Sequence, residues 1–324
     1  MPIVDAIQKA KNIILSTHKS SDGDGLGSEI AMFHALHKIG KNVRFVHNDL
    51  IPSRYHFLLE NTSEQNFLNL AAVSETPIDL ALIFDTHDPL LCSPLFENLN
   101  EKNVPTYFID HHVKIKNAPA DEFLLIDESA SCTGEIVFDL IRKMQIPLDT
   151  RIASSLYASL IFDTQNFKVI RDSVRPFAMA SQLLSVGINS QDIQDQLFAN
   201  WTTQKMNYLG YLVSQISYFE NATIAVIRIL KKDLLHFKVE SEQVSDLVDF
   251  FMQIEDLKLA IVIREESADH HKLSFRSRRN TLALDWAKEF LGGGHNTSAG
   301  AWVNKSLLEI EDQIKKLIQL KLRQ

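Results

Sequence analysis

The sequence predicts an α/β protein: a parallel, doubly wound sheet in an N-terminal domain and a smaller α/β C-terminal domain across a cleft. Three observations carry this expectation. The chain has 324 residues, more than one ordinary compact domain and about right for two. Its first ~190 residues alternate strand-like and helix-like segments, the pattern of a parallel sheet covered on both faces. A helical stretch at 187–219 then separates that set from a second alternating set.

The elements follow in order. Residues 11–17 carry the run Ile13-Ile14-Leu15 and read as a buried strand. Residues 26–39 are amphipathic and read as a helix that stops at Gly40. Residues 43–46, 79–84 and 104–109 read as strands, and 131–144 and 151–160 as helices. Residues 189–199 and 203–219 form a helical link. The expected organisation is therefore a first domain at 1–190, a linker at 191–219 and a second domain at 220–324. In the second domain 223–230, 257–264 and 271–276 read as strands, with a helix at 241–254. Residues 281–291 form a helix ending in Gly292-Gly293-Gly294-His295. A strand at 301–303 and a helix at 306–322 close the pattern.

Composition excludes several classes. Hydrophobic residues at 45% and charged residues at 23% are those of a globular chain, not a disordered or collagen-like one. No apolar run approaches the ~20 residues that span a bilayer, and the first residues do not read as a signal peptide. Cys92 and Cys132 are too few for a disulfide framework or a cysteine zinc site, so a reducing cytoplasm is expected. The net charge of −8 argues against a duplex DNA ligand, which calls for a basic face. An anionic substrate would need some other source of neutralisation.

Four groups of residues carry chemistry, each read as following a strand: His18, Asp22 and Asp24; Asp85, with His87 and Asp88 behind it; Asp110, His111 and His112; and Asp163. Singly, each has an ordinary reading as a helix cap or an Asx-turn. Asp22-Gly-Asp-Gly is turn chemistry too, and fits neither the dinucleotide fingerprint nor the phosphate loop. Their conjunction changes this, because parallel strands deliver all four groups to one edge. Two carboxylates ~5 Å apart repel by about 3 kcal/mol at an effective dielectric of about 20, so the cluster demands cations. Oxygen ligands mixed with imidazole suit Mn²⁺, Mg²⁺ or Fe²⁺ better than structural zinc. Asp22, Asp24, Asp85 and Asp163 sum to −4, which two divalent ions would balance while leaving positions open for water and phosphoryl oxygens.

This ordered set resembles the four-motif signature of the DHH phosphoesterase superfamily. Ser274-Phe-Arg276-Ser277, Leu291-Gly-Gly-Gly-His295 and Ser298-Ala-Gly300 are similar to its DHH-associated domain, so the resemblance covers nearly the whole chain. It extends to the stand-alone group that degrades very short RNAs and dephosphorylates 3′-phosphoadenosine 5′-phosphate. The resemblance implies two divalent ions, Mn²⁺ first, with Mg²⁺ and Fe²⁺ as alternatives. It implies one ion on His18, Asp22 and Asp85, and a second on Asp24, Asp85, His111 and Asp163, with Asp85 shared. Asp110 would orient a histidine, and His112 would contact the scissile phosphate or protonate the leaving oxygen. Arg276, Arg278, Gly293, Gly294 and His295 would hold the substrate's terminal phosphate or base. The implied partners are short single-stranded RNA and nucleotide bisphosphates, in a homodimer by family analogy. Two positions depart from the usual pattern: Ser20-Ser21 before the Asp-Gly-Asp run, and Gln165-Asn166 after Asp163-Thr164. Neither removes a ligand; the second bears on substrate choice.

Four alternatives share these residues, one of them a manganese pyrophosphatase, a branch without the Gly-Gly-Gly-His domain. A linear-dinucleotide or cyclic-di-AMP phosphodiesterase would use the same site. A processive exonuclease for long strands would need more basic surface. A sensor that binds nucleotides without turnover would retain the metals but not the reaction.

Overall fold

The sheet of the first unit forms because its central strands are apolar on both faces. Leu80–Phe84 and Thr106–Asp110 are buried at every position, as strands of a covered parallel sheet are. The computed structural model describes residues 1–172, 174–199, 201–244, 247–278 and 281–321, in two compact units, Met1–Asn200 and Trp201–Gln324. The first unit runs α1 (Pro2–Lys9), β1 (Asn12–Thr17), α2 (Gly23–Lys38), β2 (Asn42–Phe45), β3 (Leu80–Phe84), α3 (Leu95–Glu101), β4 (Thr106–Asp110) and β5 (Leu124–Ile126). It ends with α4 (Thr133–Lys143), α5 (Thr150–Asp163), α6 (Arg175–Ser185) and α7 (Ser190–Phe198). All strand pairs are parallel, in the order β2-β1-β3-β4-β5. Strand order reverses between β1 and β3, the place where open parallel sheets bind ligands beyond their C-terminal ends.

Helix α2 packs against α4 and α5 and starts earlier than expected, at Gly23 rather than residue 26. Asp22 caps it, so the glycines of the Asp-Gly-Asp-Gly run lie inside a helix, not in a turn. They permit close approach. A Cβ on Gly25 would fall 2.2 Å from Thr17 Oγ1, and one on Gly27 would fall 2.6 Å from Ser155 O. The first turn of α2 is thereby pressed onto the end of β1 and onto α5.

The second unit runs α8 (Thr203–Ser214), β6 (Ser217–Phe219), β7 (Ile224–Ile229), α9 (Lys231–Phe237), α10 (Leu247–Phe251), β8 (Leu259–Ser267) and β9 (His270–Ser277). It continues with α11 (Ala283–Lys288), β10 (Gly293–Gly294), β11 (Ser298–Val303) and α12 (Leu307–Lys321). Its mixed sheet has the order β10-β11-β9-β8-β7-β6, with only β7 and β8 parallel. One face, with Ile261, Leu273 and Phe275, packs with Trp286, Ile310 and Ile314. The other, with Ala225, Ile227 and Val262, packs with Tyr208, Leu247 and Phe251.

Three elements differ from the sequence reading. The helix expected at 203–219 stops at Ser214, and Ser217–Phe219 pair with β7 instead. The expected linker is shared out: Ile193 and Leu197 of α7 join the first core, and Tyr208, Leu209 and Leu212 of α8 join the second. The helix expected at 241–254 is a 3₁₀ turn, Ser241–Val244, followed by α10. Residues 245 and 246 of that expectation, residue 200 of the linker and residues 322–324 of the second domain, including the end of the expected last helix, lie outside the described residues. No helix among the described residues is long and apolar enough to cross a membrane.

Two glycine substitutions should move stability in opposite directions. Gly27→Ala overpacks the α2–α5 contact and should destabilise by about 1–3 kcal/mol. Gly210→Ala, inside α8 with nothing within 4 Å of its new Cβ, should stabilise by about 0.5–1 kcal/mol. Urea unfolding of each variant measures both.

Candidate metal centre

The topology gathers the first three groups at the C-terminal ends of β1, β3 and β4. Asp163 joins them by another route. It is the last residue of α5, so the expectation that it follows a strand is corrected: the run before it is a buried helix face. The side chains form two nests. In one, His18 Nε2 lies 3.5 Å from Asp85 Oδ2 and 3.9 Å from Asp22 Oδ1. In the other, His111 Nε2 lies 3.4 Å from Asp163 Oδ2, 3.6 Å from Asp85 Oδ1 and 3.7 Å from Asp24 Oδ2. Asp85 therefore presents one oxygen to each histidine. His18, Asp22 and Asp85 offer ligand atoms within 4.8 Å of one another, as do Asp24, His111 and Asp163, and Asp85, His111 and His112.

Backbone and hydroxyl donors hold the carboxylates in place. Asp22 Oδ1 accepts from the N–H groups of Asp24 and Gly25 at 3.0 and 3.2 Å. Asp24 is bonded on both oxygens. The first N–H groups of α4, from Thr133 and Gly134, donate at 2.8 and 3.3 Å, and Ser159 and Ser28 add hydroxyls at 2.5 and 3.3 Å. A helix N-terminus is a natural seat for a carboxylate. Thr133 Oγ1 donates to Asp85 Oδ1 at 3.0 Å. Asp85 itself sits at φ +61°, a left-handed conformation that aspartate tolerates better than most residues and that gathers at functional sites. Sequence reasoning missed Ser28, Thr133 and Ser159. For Thr133 a signal existed, since Thr-Gly-Glu opens an amphipathic helix after a polar loop. For Ser28 and Ser159 none did.

The hydrogen bonds also assign the histidine tautomers. His18 Nδ1 donates to the Lys19 carbonyl at 2.7 Å, and His111 Nδ1 to the Ala130 carbonyl at 3.3 Å. Each leaves Nε2 as the nitrogen that faces the carboxylates, the one through which such a histidine would ligate. His111 Nε2 is buried without a hydrogen-bond partner among the described residues. An orphaned buried nitrogen facing three carboxylates is the observation that a cation explains.

The electrostatics agree. Burial pushes the Asp163 carboxyl up to about 8, reinforced by Asp24 and Asp22. Burial and the Asp24 charge raise Asp85 as well. Burial lowers His18, but the Asp22 and Asp85 carboxylates overcome it and raise the imidazole to about 11. Protons are thus doing the work of counter-ions. A donor set of carboxylate oxygens and imidazole nitrogens fits a divalent cation, and Asp22, Asp24, Asp85, His18, His111 and Asp163 are the residues that fit it.

Asp110 plays a different part. It accepts from His87 Nδ1, from His112 Nδ1 at 2.8 Å and from the His112 N–H at 3.1 Å. These bonds hold it well below the usual carboxylate range despite burial. His87 Nε2 accepts the Ile115 N–H at 3.0 Å, so His87 supports Asp110 and does not face the nests. Asp88 caps Leu90 N–H at 3.0 Å. The half-exposed His112 is raised to about 9, chiefly by its bond to Asp110.

In the second unit, Arg276 is half-buried on β9 and pairs in register with Ser298, while His295 and Ser298 bond each other's backbone across the turn. Arg276 and His295 therefore flank one strand residue. The alternation that would put Arg278 beside Arg276 ends with the strand at Ser277. Arg278 instead donates to the carbonyls of Glu255, Ile254 and Met252 at 2.7, 2.8 and 3.2 Å. Two of the glycines answer to their own hairpin. A Cβ on Gly292 or Gly294 would strike β11, whereas one on Gly293 would meet nothing within 4 Å. Gly293 and Gly294 are both exposed.

Comparison with known proteins follows the same division. Residues 12–160 match the DHH family, N-terminal domain, and residues 220–323 match the DHHA1 domain. An uncharacterized protein of Mycoplasma genitalium is 31% identical over 79% of this chain and 74% of its own. The bifunctional oligoribonucleases and PAP phosphatases NrnA of Thermus thermophilus and Bacillus subtilis are 25% and 24% identical, covering 93% and 92% of this chain and 87% and 91% of theirs. The crystal structure of an exopolyphosphatase-related protein from Bacteroides fragilis superposes with a TM-score of 0.87, covering 98% of this chain and 94% of that one at 21% identity. This last likeness speaks for the fold.

Metal loading has to displace the protons held by His18 and Asp163. Mn²⁺ affinity should therefore rise with pH through about 8, where Asp163 loses its proton, and on toward about 11, where His18 does, with proton release on binding. Calorimetry in buffers of different ionisation enthalpy measures both. Affinity independent of pH would contradict the assigned ligands.

Proposed function

The chain belongs to the DHH family, and from that premise we propose that it is a two-metal phosphoesterase. On this reading it acts in the cytoplasm, hydrolyses short oligoribonucleotides of two to five nucleotides to mononucleotides, and converts 3′-phosphoadenosine 5′-phosphate to AMP. The observation that carries the reading is the Asp85 carboxylate, with one oxygen turned to the His18 nest and the other to the His111 nest. His18, Asp22 and Asp85 would hold one ion; Asp24, Asp85, His111 and Asp163 would hold the other. Manganese is the first choice, with Mg²⁺ and Fe²⁺ as alternatives. Divalent ions bound there supply positive charge to phosphoryl oxygens and lower the pKa of an attacking water.

The chain's own residues do the rest. Asp24 and Asp85 are fixed by α4 and by hydroxyls, so little reorganisation accompanies the reaction. Asp110 takes the Nδ1 proton of His112 in a hydrogen bond and leaves Nε2 free. With its pKa near 9, His112 is protonated at neutral pH. It is the candidate acid for the leaving ribose oxygen. Arg276, Gly293 and His295 are the candidates for the substrate's distal phosphate or base. Arg278 supports this role less, because its guanidinium is spent on backbone carbonyls.

Hydrolysis of an RNA dinucleotide, adenosine 3′,5′-bisphosphate and cyclic-di-AMP with added Mn²⁺ tests the reading. Turnover of the first two is expected. Asp85→Ala should lower kcat by at least about 10³, because both nests lose an oxygen. Arg276→Ala should chiefly raise KM. Preference for the cyclic compound would reassign the substrate. No turnover with metal bound would point to a nucleotide sensor.

A further inference from the structure

The family reading leaves one cation beside the nests without a role. Arg171 lies between α5 and α6. Its backbone N–H donates to Ser131 Oγ at 2.9 Å, and its Nη1 donates to the carbonyls of His111 at 2.5 Å and Glu128 at 3.1 Å. The guanidinium is thus tied to the backbone of a nest histidine. A guanidinium has five N–H donors in a planar fork. Nη1 spends its own, and Nε and Nη2 make no hydrogen bond among the described residues. The charge is felt at two ligands from different elements, His111 after β4 and Asp163 at the end of α5.

Arg171 is exposed, so its unspent Nε–Nη2 edge is open to an anion arriving from solvent. Asp22, Asp24, Asp85 and Asp163 carry −4, and two divalent ions would cancel them. The Asp110–His112 pair cancels itself when His112 is protonated. Arg171 then leaves the centre at +1. That charge would favour one phosphodiester group in a chain of net charge −8. We propose that Arg171 is a phosphate-binding residue of the catalytic domain, its Nε–Nη2 edge taking a non-bridging oxygen of the phosphoryl group presented to the two nests. The proposal rests on the phosphoesterase reading.

The test is calorimetric binding of inorganic phosphate to the full-length, Mn²⁺-loaded protein, alongside dinucleotide kinetics. Arg171→Gln should weaken phosphate by about ten- to a hundredfold, as loss of a charge-assisted hydrogen-bond pair does, while Mn²⁺ affinity changes by less than about threefold. Arg171→Lys should recover part of the loss, since it restores the charge but not the fork. Ser131→Ala, which removes the anchor of the Arg171 backbone and a hydroxyl bonded to Glu135 but leaves the guanidinium in place, should leave phosphate binding near the wild-type value. Phosphate affinity unchanged in Arg171→Gln would overturn the assignment and leave the phosphoesterase reading standing. Equal losses of phosphate and Mn²⁺ binding in Arg171→Gln and Ser131→Ala would show a loop staple only, and overturn it too. A wild-type protein that binds Mn²⁺ but no phosphate would overturn the phosphoesterase reading and this assignment with it.

Discussion

Repulsion among buried carboxylates is the constraint around which the first unit is arranged. Asp24 and Asp85 are almost fully buried, with Asp22 and Asp163 close by. Such a group is not stable in its charged form at low dielectric without compensation. Part of the compensation is built in. The start of α4 points N–H groups at Asp24, Thr133 reaches Asp85, and Ser28 and Ser159 complete the set. The remainder falls to cations in the proposed function; without them, the neighbouring carboxylates raise His18 despite burial, and burial with Asp24 and Asp22 raises Asp163, so that both favour their protonated forms.

The packing serves that arrangement. A parallel sheet sends β1, β3 and β4 to one edge, and the reversal of order between β1 and β3 opens a crevice there. Gly25 and Gly27 let α2 approach β1 and α5 closely enough for Asp24 to meet Asp163. Gly134 does the same for α4, where a Cβ would fall 2.1 Å from Ser159 Oγ. Function and fold are coupled at these glycines. A side chain there would move a ligand as well as disturb a core.

Much of this was legible in the sequence, for identifiable reasons. Strand periodicity and apolar runs placed β1, β3 and β4, and metal-type residues just beyond their ends marked the site. The sequence marks Asp163 as a ligand but not its place at the end of a helix, because a fully buried helix and a buried strand share the same apolar run. The role of the Ser159 hydroxyl is not legible in the sequence, since it depends on a contact with Asp24, 135 residues distant in the chain. Arg278 was read by strand alternation that the strand does not continue far enough to support. The three glycines before His295 looked like an opening for an anion, yet Gly292 and Gly294 are required by the hairpin itself.

The central claim is that Asp85 joins two metal nests. Titration with Mn²⁺ followed by electron paramagnetic resonance tests it most directly. The account predicts two ions per chain, a spin-coupled signal at full loading, and loss of coupling in Asp85→Ala. A single uncoupled ion per chain at saturation would contradict it.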